Sequence, residues 1–225
     1  MSDTTQATDT GIEVGVNGPY HVTGGVPLVR VSKVESDKGE PIAWYVDETL
    51  DAPDEYWLCR CGNSKRKPFC SGMHEEVDFD GTEAAPTDDY DDRAKTLGGS
   101  GVAIRDDRGV CTHAGFCADR ITNVWKAAKV IDEDAELRDK IVAMVRRCPS
   151  GALSYLVDGV ETEPDLPVQI AVQKDGPLLV TGRIRVRRAD GQPFEIRNRV
   201  ALCRCGNSGN KPLCDGTHKE IGFTG

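Results

Sequence analysis

Cys203-Arg204-Cys205-Gly206-Asn207-Ser208-Gly209-Asn210-Lys211-Pro212-Leu213-Cys214-Asp215-Gly216-Thr217-His218 is the stretch on which the fold turns. Three cysteines and a histidine fall within one segment whose glycines and proline mark it as a loop. Thiolate and imidazole donors this close together form a metal site before any fold is considered. The same spacing stands earlier, at Cys59, Cys61, Cys70 and His74. Two metals fit the residues. A Cys3His set suits tetrahedral zinc. A binuclear iron–sulfur cluster also takes four protein ligands, and histidine can replace cysteine. Zinc fingers usually flank a structured segment with two spaced ligand pairs. Here all four donors share one loop, and the close Cys-x-Cys pair suits one iron, leaving Cys and His for the other.

Around these loops the chain repeats itself. Gly18-Pro19-Tyr20-His21-Val22-Thr23-Gly24 resembles Gly176-Pro177-Leu178-Leu179-Val180-Thr181-Gly182, and each lies upstream of a metal loop. From the glycine to the first loop cysteine is 41 residues in the first copy and 27 in the second, so the first carries 14 more. β-prone runs broken by turn residues fill both: Tyr20–Thr23, Pro27–Val34 and Ile42–Val46, then Val168–Val172, Leu178–Val180, Ile184–Arg187 and Phe194–Ile196. A β unit plus a metal loop, twice, reads as a duplication with something inserted.

The insert differs in kind. Val102–Arg105 and Leu153–Val157 predict strands, and Glu133–Arg147 predicts a helix capped by Asp132. Leu137, Ile141, Met144 and Val145 line one apolar face of it. The expected organisation is a disordered tail over 1–11, a first module over 12–80, an acidic linker over 81–100, ordered in part at best, a middle module over 101–165 and a last module over 166–225. The class is α+β and rich in β.

The chain is acidic, with 37 Asp and Glu against 28 Lys and Arg for a net −9, which argues against general nucleic-acid binding. Nine cysteines, an odd number, do not make a pure disulfide framework. The N-terminus has no basic or apolar region of a signal peptide, and no stretch approaches eighteen apolar residues. A reducing cytoplasm, no membrane and thiols free for metal are the expectation. No nucleophile–base pair, P-loop or dinucleotide fingerprint is present in the sequence, so no catalytic residue is assigned.

The loops resemble the CDGSH iron–sulfur domain, the mitoNEET family, whose pattern is Cys-x-Cys-x2-(Ser/Thr)-x3-Pro-x-Cys-Asp-Gly-(Ser/Ala/Thr)-His. Residues 203–218 meet it throughout. Residues 59–74 keep Ser64, Pro68, Gly72 and all four ligands but carry Ser71 for Asp and Met73 for a small residue. The resemblance implies a [2Fe–2S] cluster on Cys59, Cys61, Cys70 and His74 and another on Cys203, Cys205, Cys214 and His218. The histidine ligand would be exposed and acid-labile. Family members pair two such units into a dimeric β-structure, so two copies in one chain imply a monomer with an internal pseudo-dimer.

Cys111, Cys117 and Cys148 remain. Cys111-Thr112-His113-Ala114-Gly115-Phe116-Cys117 and Cys148-Pro149 resemble a divergent single-cluster ferredoxin whose second cysteine slot holds Ala114. Three thiolates suit [3Fe–4S], the reading slightly favoured. A [4Fe–4S] cluster would need His113, a solvent species or another side chain as fourth ligand. The implied function is one-electron transfer with a redox partner protein, by a carrier rather than an enzyme. The alternatives are cluster storage, transfer to an acceptor or redox sensing, and a zinc-bound interaction module.

Overall fold

The computed structural model describes residues 10–225. Of the expected tail, residues 1–9 lie outside the described residues, and Gly11 already opens a strand. The first copy runs β1 (Gly11–Val14), β2 (Tyr20–Thr23), β3 (Leu28–Glu35), β4 (Pro41–Leu50) and β5 (Tyr56–Leu58), then its metal loop and the short helix α1 (Met73–Glu76). The insert runs α2 (Tyr90–Arg93), β6 (Lys95–Gly98), β7 (Val102–Asp106), α3 (Val124–Ala127), α4 (Ala135–Arg146), β8 (Leu153–Val157) and β9 (Val160–Thr162). The second copy runs β10 (Gln169–Gln173), β11 (Leu178–Thr181), β12 (Arg185–Arg187) and β13 (Arg199–Leu202), then its loop and α5 (Thr217–Glu220).

Among the described residues the strands form three sheets, and the two copies build two of them jointly. One sheet has the order β12-β1-β2-β5, the other β13-β11-β10-β3-β4. Each copy lends a strand to its sibling: β12 pairs parallel with β1, Val186 opposite Ile12, and β3 pairs parallel with β10, Val29 opposite Ala171. The internal pseudo-dimer is therefore made by reciprocal strand exchange. Its reason lies in the alternation. Ile12, Tyr20, Val22 and Leu58 of the first copy and Ile170, Val172, Leu178, Val180 and Leu202 of the second bury one common core. Each such aliphatic side chain contributes about 1.5–3 kcal/mol when fully buried, and a small sheet with one apolar face needs a second layer to keep it dry.

The third sheet, β6-β7-β8-β9, belongs to the insert, with α3 and α4 packed on it through Val124, Ala127, Ile141, Met144 and Val145. The helix starts two residues later than predicted. Asp134 Oδ1 accepts from Leu137 N at 3.0 Å as its cap. Asp132 accepts instead from Gly101 N and Val102 N at 3.2 and 3.1 Å, fastening the β6–β7 turn. Phe194–Ile196 is not a strand. The pairing falls on Arg199–Leu202, whose four residues are all buried next to the metal loop. Nor is 81–100 a loose linker. Its acidic run hides one aromatic, Tyr90, which is buried, donates its hydroxyl to Ala152 O at 3.3 Å and carries Arg197 on its ring at 3.6 Å.

The extra residues of the first copy lengthen the β3–β4 hairpin, which grips the insert. Trp44 packs on Phe116 with ring centroids 5.0 Å apart and donates its indole N–H to Arg147 O at 3.3 Å. Glu40 accepts from Arg120 N at 2.7 Å, and Lys33 donates to Ala114 O at 2.7 Å.

Candidate metal centres

Each loop leaves a strand and returns to it. In the second, Cys203 N donates to Pro212 O at 2.8 Å and Cys214 N to Ala201 O at 2.9 Å; in the first, Cys59 N donates to Pro68 O and Cys70 N to Trp57 O, both at 2.8 Å. The signature serine braces the turn from within: Ser208 Oγ donates to Leu213 O at 2.7 Å, and Ser64 Oγ to Phe69 O at 2.6 Å. Asp215 Oδ2 accepts from Gly209 N at 2.8 Å. Where the first loop departs from the family pattern, Ser71 Oγ accepts from Lys65 N at 3.2 Å and does the same work. The departure at Ser71 therefore leaves the loop shape intact.

The donors of each loop stand in two pairs. Cys203 Sγ is 3.7 Å from Cys205 Sγ, and Cys214 Sγ is 3.3 Å from His218 Nδ1. In the first loop the separations are 3.8 Å for Cys59 and Cys61, and 3.5 Å for Cys70 and His74 Nδ1. Two sulfurs at about 2.3 Å from one tetrahedral metal lie about 3.8 Å apart, so each pair spans one edge around one metal. Among the described residues no three Cys, His, Asp or Glu groups converge as a single ion requires. Two pairs for two metals is the demand of a binuclear cluster, and Nδ1 is the ring nitrogen that faces it.

Within each close pair the two thiols shift in opposite directions: Cys205 and Cys61 are pushed up, first by the hydrogen bond each gives its neighbour and then by burial, and burial pushes Cys214 up to about 12. Donation from Cys205 pulls the Cys203 thiol down despite burial, with backbone N–H groups of Ser208, Gly206 and Cys205 also aimed at its sulfur. Cys59 is pulled down in the same way by Cys61, Ser64 and Gly62. Oriented N–H groups of this kind stabilise anionic sulfur. Burial, then the Lys219 and Lys33 charges, pushes His218 down to about 4, so its imidazole is neutral at neutral pH as a ligand must be. His218 is itself buried, not exposed as the resemblance implies; His74 keeps 16% of its side chain exposed.

The two loops touch back to back. A Cβ on Gly62 would stand 2.5 Å from Cys205 O, and one on Gly206 would stand 2.6 Å from Cys61 O. Both glycines have φ near +80° (79° and 82°), so the strain and the contact each call for glycine. Two further residues pin the loops and stand outside the family pattern. Arg60 is buried and donates to Gly15 O at 3.1 Å and Gly81 O at 2.6 Å. Arg204 is buried and donates to Gly176 O, Gln173 O and Gly225 O at 2.8–2.9 Å. Each guanidinium also lies over a phenylalanine, Phe79 or Phe223. The signal was in the sequence: the repeat runs on beyond the histidine as Phe79-Asp80-Gly81 and Phe223-Thr224-Gly225.

In the insert, Cys111, Cys117 and Cys148 line one cavity of about 180 Å³, with Phe116, Pro149 and Leu153 as apolar walls. Cys111 Sγ accepts from His113 N at 3.4 Å. His113 is exposed, at a φ of 54°, on the rim of the same cavity. The three thiols predicted to act together are thus brought together in space.

Comparison with known families agrees with this division. The family described as iron-binding zinc finger, CDGSH type, matches residues 17–75 and 175–219. A second, described as divergent 4Fe-4S mono-cluster, matches residues 97–158. No curated protein matches the chain. The first family implies [2Fe–2S] chemistry, and the second names a four-iron cluster rather than the [3Fe–4S] cluster that the three cysteines slightly favoured. The chain therefore carries two CDGSH segments that flank a divergent 4Fe–4S mono-cluster domain.

Proposed function

We propose that this protein is a one-electron carrier with two Cys3His [2Fe–2S] sites and one ferredoxin-type site. Cys59, Cys61, Cys70 and His74 hold the first, Cys203, Cys205, Cys214 and His218 the second, and Cys111, Cys117 and Cys148 the third. The observation that carries the reading is contiguity. The first two loops meet at Gly62 and Gly206, and the middle loop meets the second at Gly216, where a Cβ would stand 3.2 Å from Thr112 O. Three sites in one packed body suit internal electron passage better than three separate binding duties.

When bound, the clusters supply the one-electron chemistry. The protein's own part is to hold thiolates with backbone N–H groups, to keep His218 neutral, and to exclude water from the buried sulfurs. Hydrogen bonds to sulfur and burial are the levers that set cluster potentials. The middle site is taken as [4Fe–4S], with [3Fe–4S] the outcome if iron analysis counts three. All nine cysteines are free, which suits a reducing cytoplasm. Among the described residues no helix is long and apolar enough to cross a membrane. The partner is a redox protein, and neither nucleic acid nor membrane enters the reading.

The partly exposed Cys70 and His74 favour a second reading, cluster donation to an acceptor or redox sensing. Titration with a reductant under anaerobic conditions separates the two. Reversible reduction with all clusters retained supports electron transfer. Rapid cluster loss to an added apo-ferredoxin supports donation, and a colourless, zinc-loaded protein refutes both.

A further inference from the structure

Equivalent positions of the two loops meet unlike surroundings. A Cβ at Gly72 would find no atom within 4 Å, whereas at Gly216 it would meet Thr112 O at 3.2 Å and the His113 ring at 3.4 Å. Cys214 and His218 are buried, and Cys70 and His74 are not. The cover over the second site is the 111–115 loop of the insert. Three side chains hold it there. Lys219 Nζ donates to His113 O, Lys33 Nζ to Ala114 O at 2.7 Å, and Asn210 Nδ2 to Gly109 O at 2.6 Å. The first copy is built otherwise at the matching positions. Glu75 stands where Lys219 does and lies 3.7 Å from His74 Nε2. Arg66 stands where Asn210 does and donates to its own loop, at Cys70 O, 3.0 Å away.

We propose that the two CDGSH sites have unlike duties, on the iron–sulfur reading above. The 59–74 loop is the port through which the protein exchanges with external partners. The 203–218 loop is a sealed inner site, closed by the 111–115 loop and kept closed by Lys219 and Lys33. The order in space is first site, second site, middle site, although the middle site lies between the other two in sequence. Reaching the second site requires the cover to lift, which breaks hydrogen bonds that the first site does not have to break. A local opening of this kind lowers exchange by about tenfold or more.

The test is iron removal from the whole holo-protein by 2,2′-bipyridine with dithionite, the neutral chelator being chosen so that Glu75 does not repel it. Loss is followed by visible absorbance and electron paramagnetic resonance. The two [2Fe–2S] signals should disappear in phases separated by about tenfold or more. His74→Cys should alter the signal lost in the fast phase, and His218→Cys the signal lost in the slow one. Lys219→Ala combined with Lys33→Ala should speed the slow phase and leave the fast one unchanged. Hydrogen exchange of the unmutated holo-protein gives a readout free of folding artefacts: amides 111–116 and 215–219 should be protected together, well beyond 71–75. Equal loss from the two sites, a fast phase that belongs to His218, or fast exchange at 111–116 would overturn the proposal. A protein that assembles no clusters or cannot be reversibly reduced sinks the functional reading and takes this one with it; clusters that assemble, reduce reversibly and leave at one rate sink only the division of duties.

Discussion

Replacing Gly206 by alanine should pry the two metal loops apart. The new Cβ would stand 2.6 Å from Cys61 O and 2.9 Å from Cys61 C, closer than real Cβ contacts come. The atoms it meets are backbone, so no side chain can swing away. The left-handed φ of 82° adds its own strain, about 1–2 kcal/mol for a residue with a Cβ. Overpacking against a fixed neighbour adds about 1–3 kcal/mol, and the stiffer unfolded chain returns about 0.4–1 kcal/mol. The net is a loss of about 3 kcal/mol, or about 6–12 °C in Tm for a chain of this size. Gly191→Ala is the matched control, with a φ of 73° and open space around its Cβ; it should lose only about 0.5–1 kcal/mol. Thermal unfolding of the holo-protein, read by circular dichroism and by loss of cluster absorbance together, measures both. The same argument applies to Gly62→Ala. Since one separation relieves both clashes, the double variant should lose less than the sum of the two singles. Equal shifts for Gly206→Ala and Gly191→Ala would refute the back-to-back packing of the loops.

Three other outcomes follow from the same geometry. Arg204→Lys keeps the charge but cannot span Gly176 O, Gln173 O and Gly225 O, and should destabilise by about 2–4 kcal/mol in chemical denaturation; a change below about 0.5 kcal/mol would mean that those carbonyls find other donors. Acid should release iron, because a proton competes with metal for histidine Nδ1; burial holds His218 down to about 4 and the insert covers its site, so stopped-flow absorbance should show release there lagging behind release from the partly exposed His74 site. His218→Cys should slow the later release, and unchanged acid lability would count against histidine ligation. Cys148→Ala should remove the middle cluster alone: iron analysis should fall from about eight per chain to about four, with the two [2Fe–2S] resonance signals unchanged, and loss of all three signals would contradict independent sites.

The candidate ligands were legible in the sequence because each metal loop is a local object. Cys203 to Cys205 and Cys214 to His218 are each within four residues, so spacing alone brings the donors of a pair together, and the loop is closed by its own serine and backbone. The helix of the insert, its buried face and the strands at 102 and 153 were legible for the same reason, being local periodicities. The duplication was legible because it is a comparison of the sequence with itself.

Everything that joins distant segments was decided by tertiary structure. The exchange of β3 and β12 between the copies depends on parallel pairing across more than a hundred residues, and an apolar alternation says that a strand has a buried face, not which strand lies beside it. Arg60 and Arg204 look like arbitrary residues between two cysteines until the carbonyls of Gly15, Gly81, Gly176 and Gly225 surround them. Tyr90 was hidden within an acidic run because charge density masks a single buried aromatic. The family pattern makes both histidines alike, yet the insert covers His218 and leaves His74 partly open. The sequence by itself determined which atoms can bind metal; packing between modules determined how close the sites stand and which of them faces the outside, because contact between remote surfaces is set by the whole fold and not by any spacing along the chain.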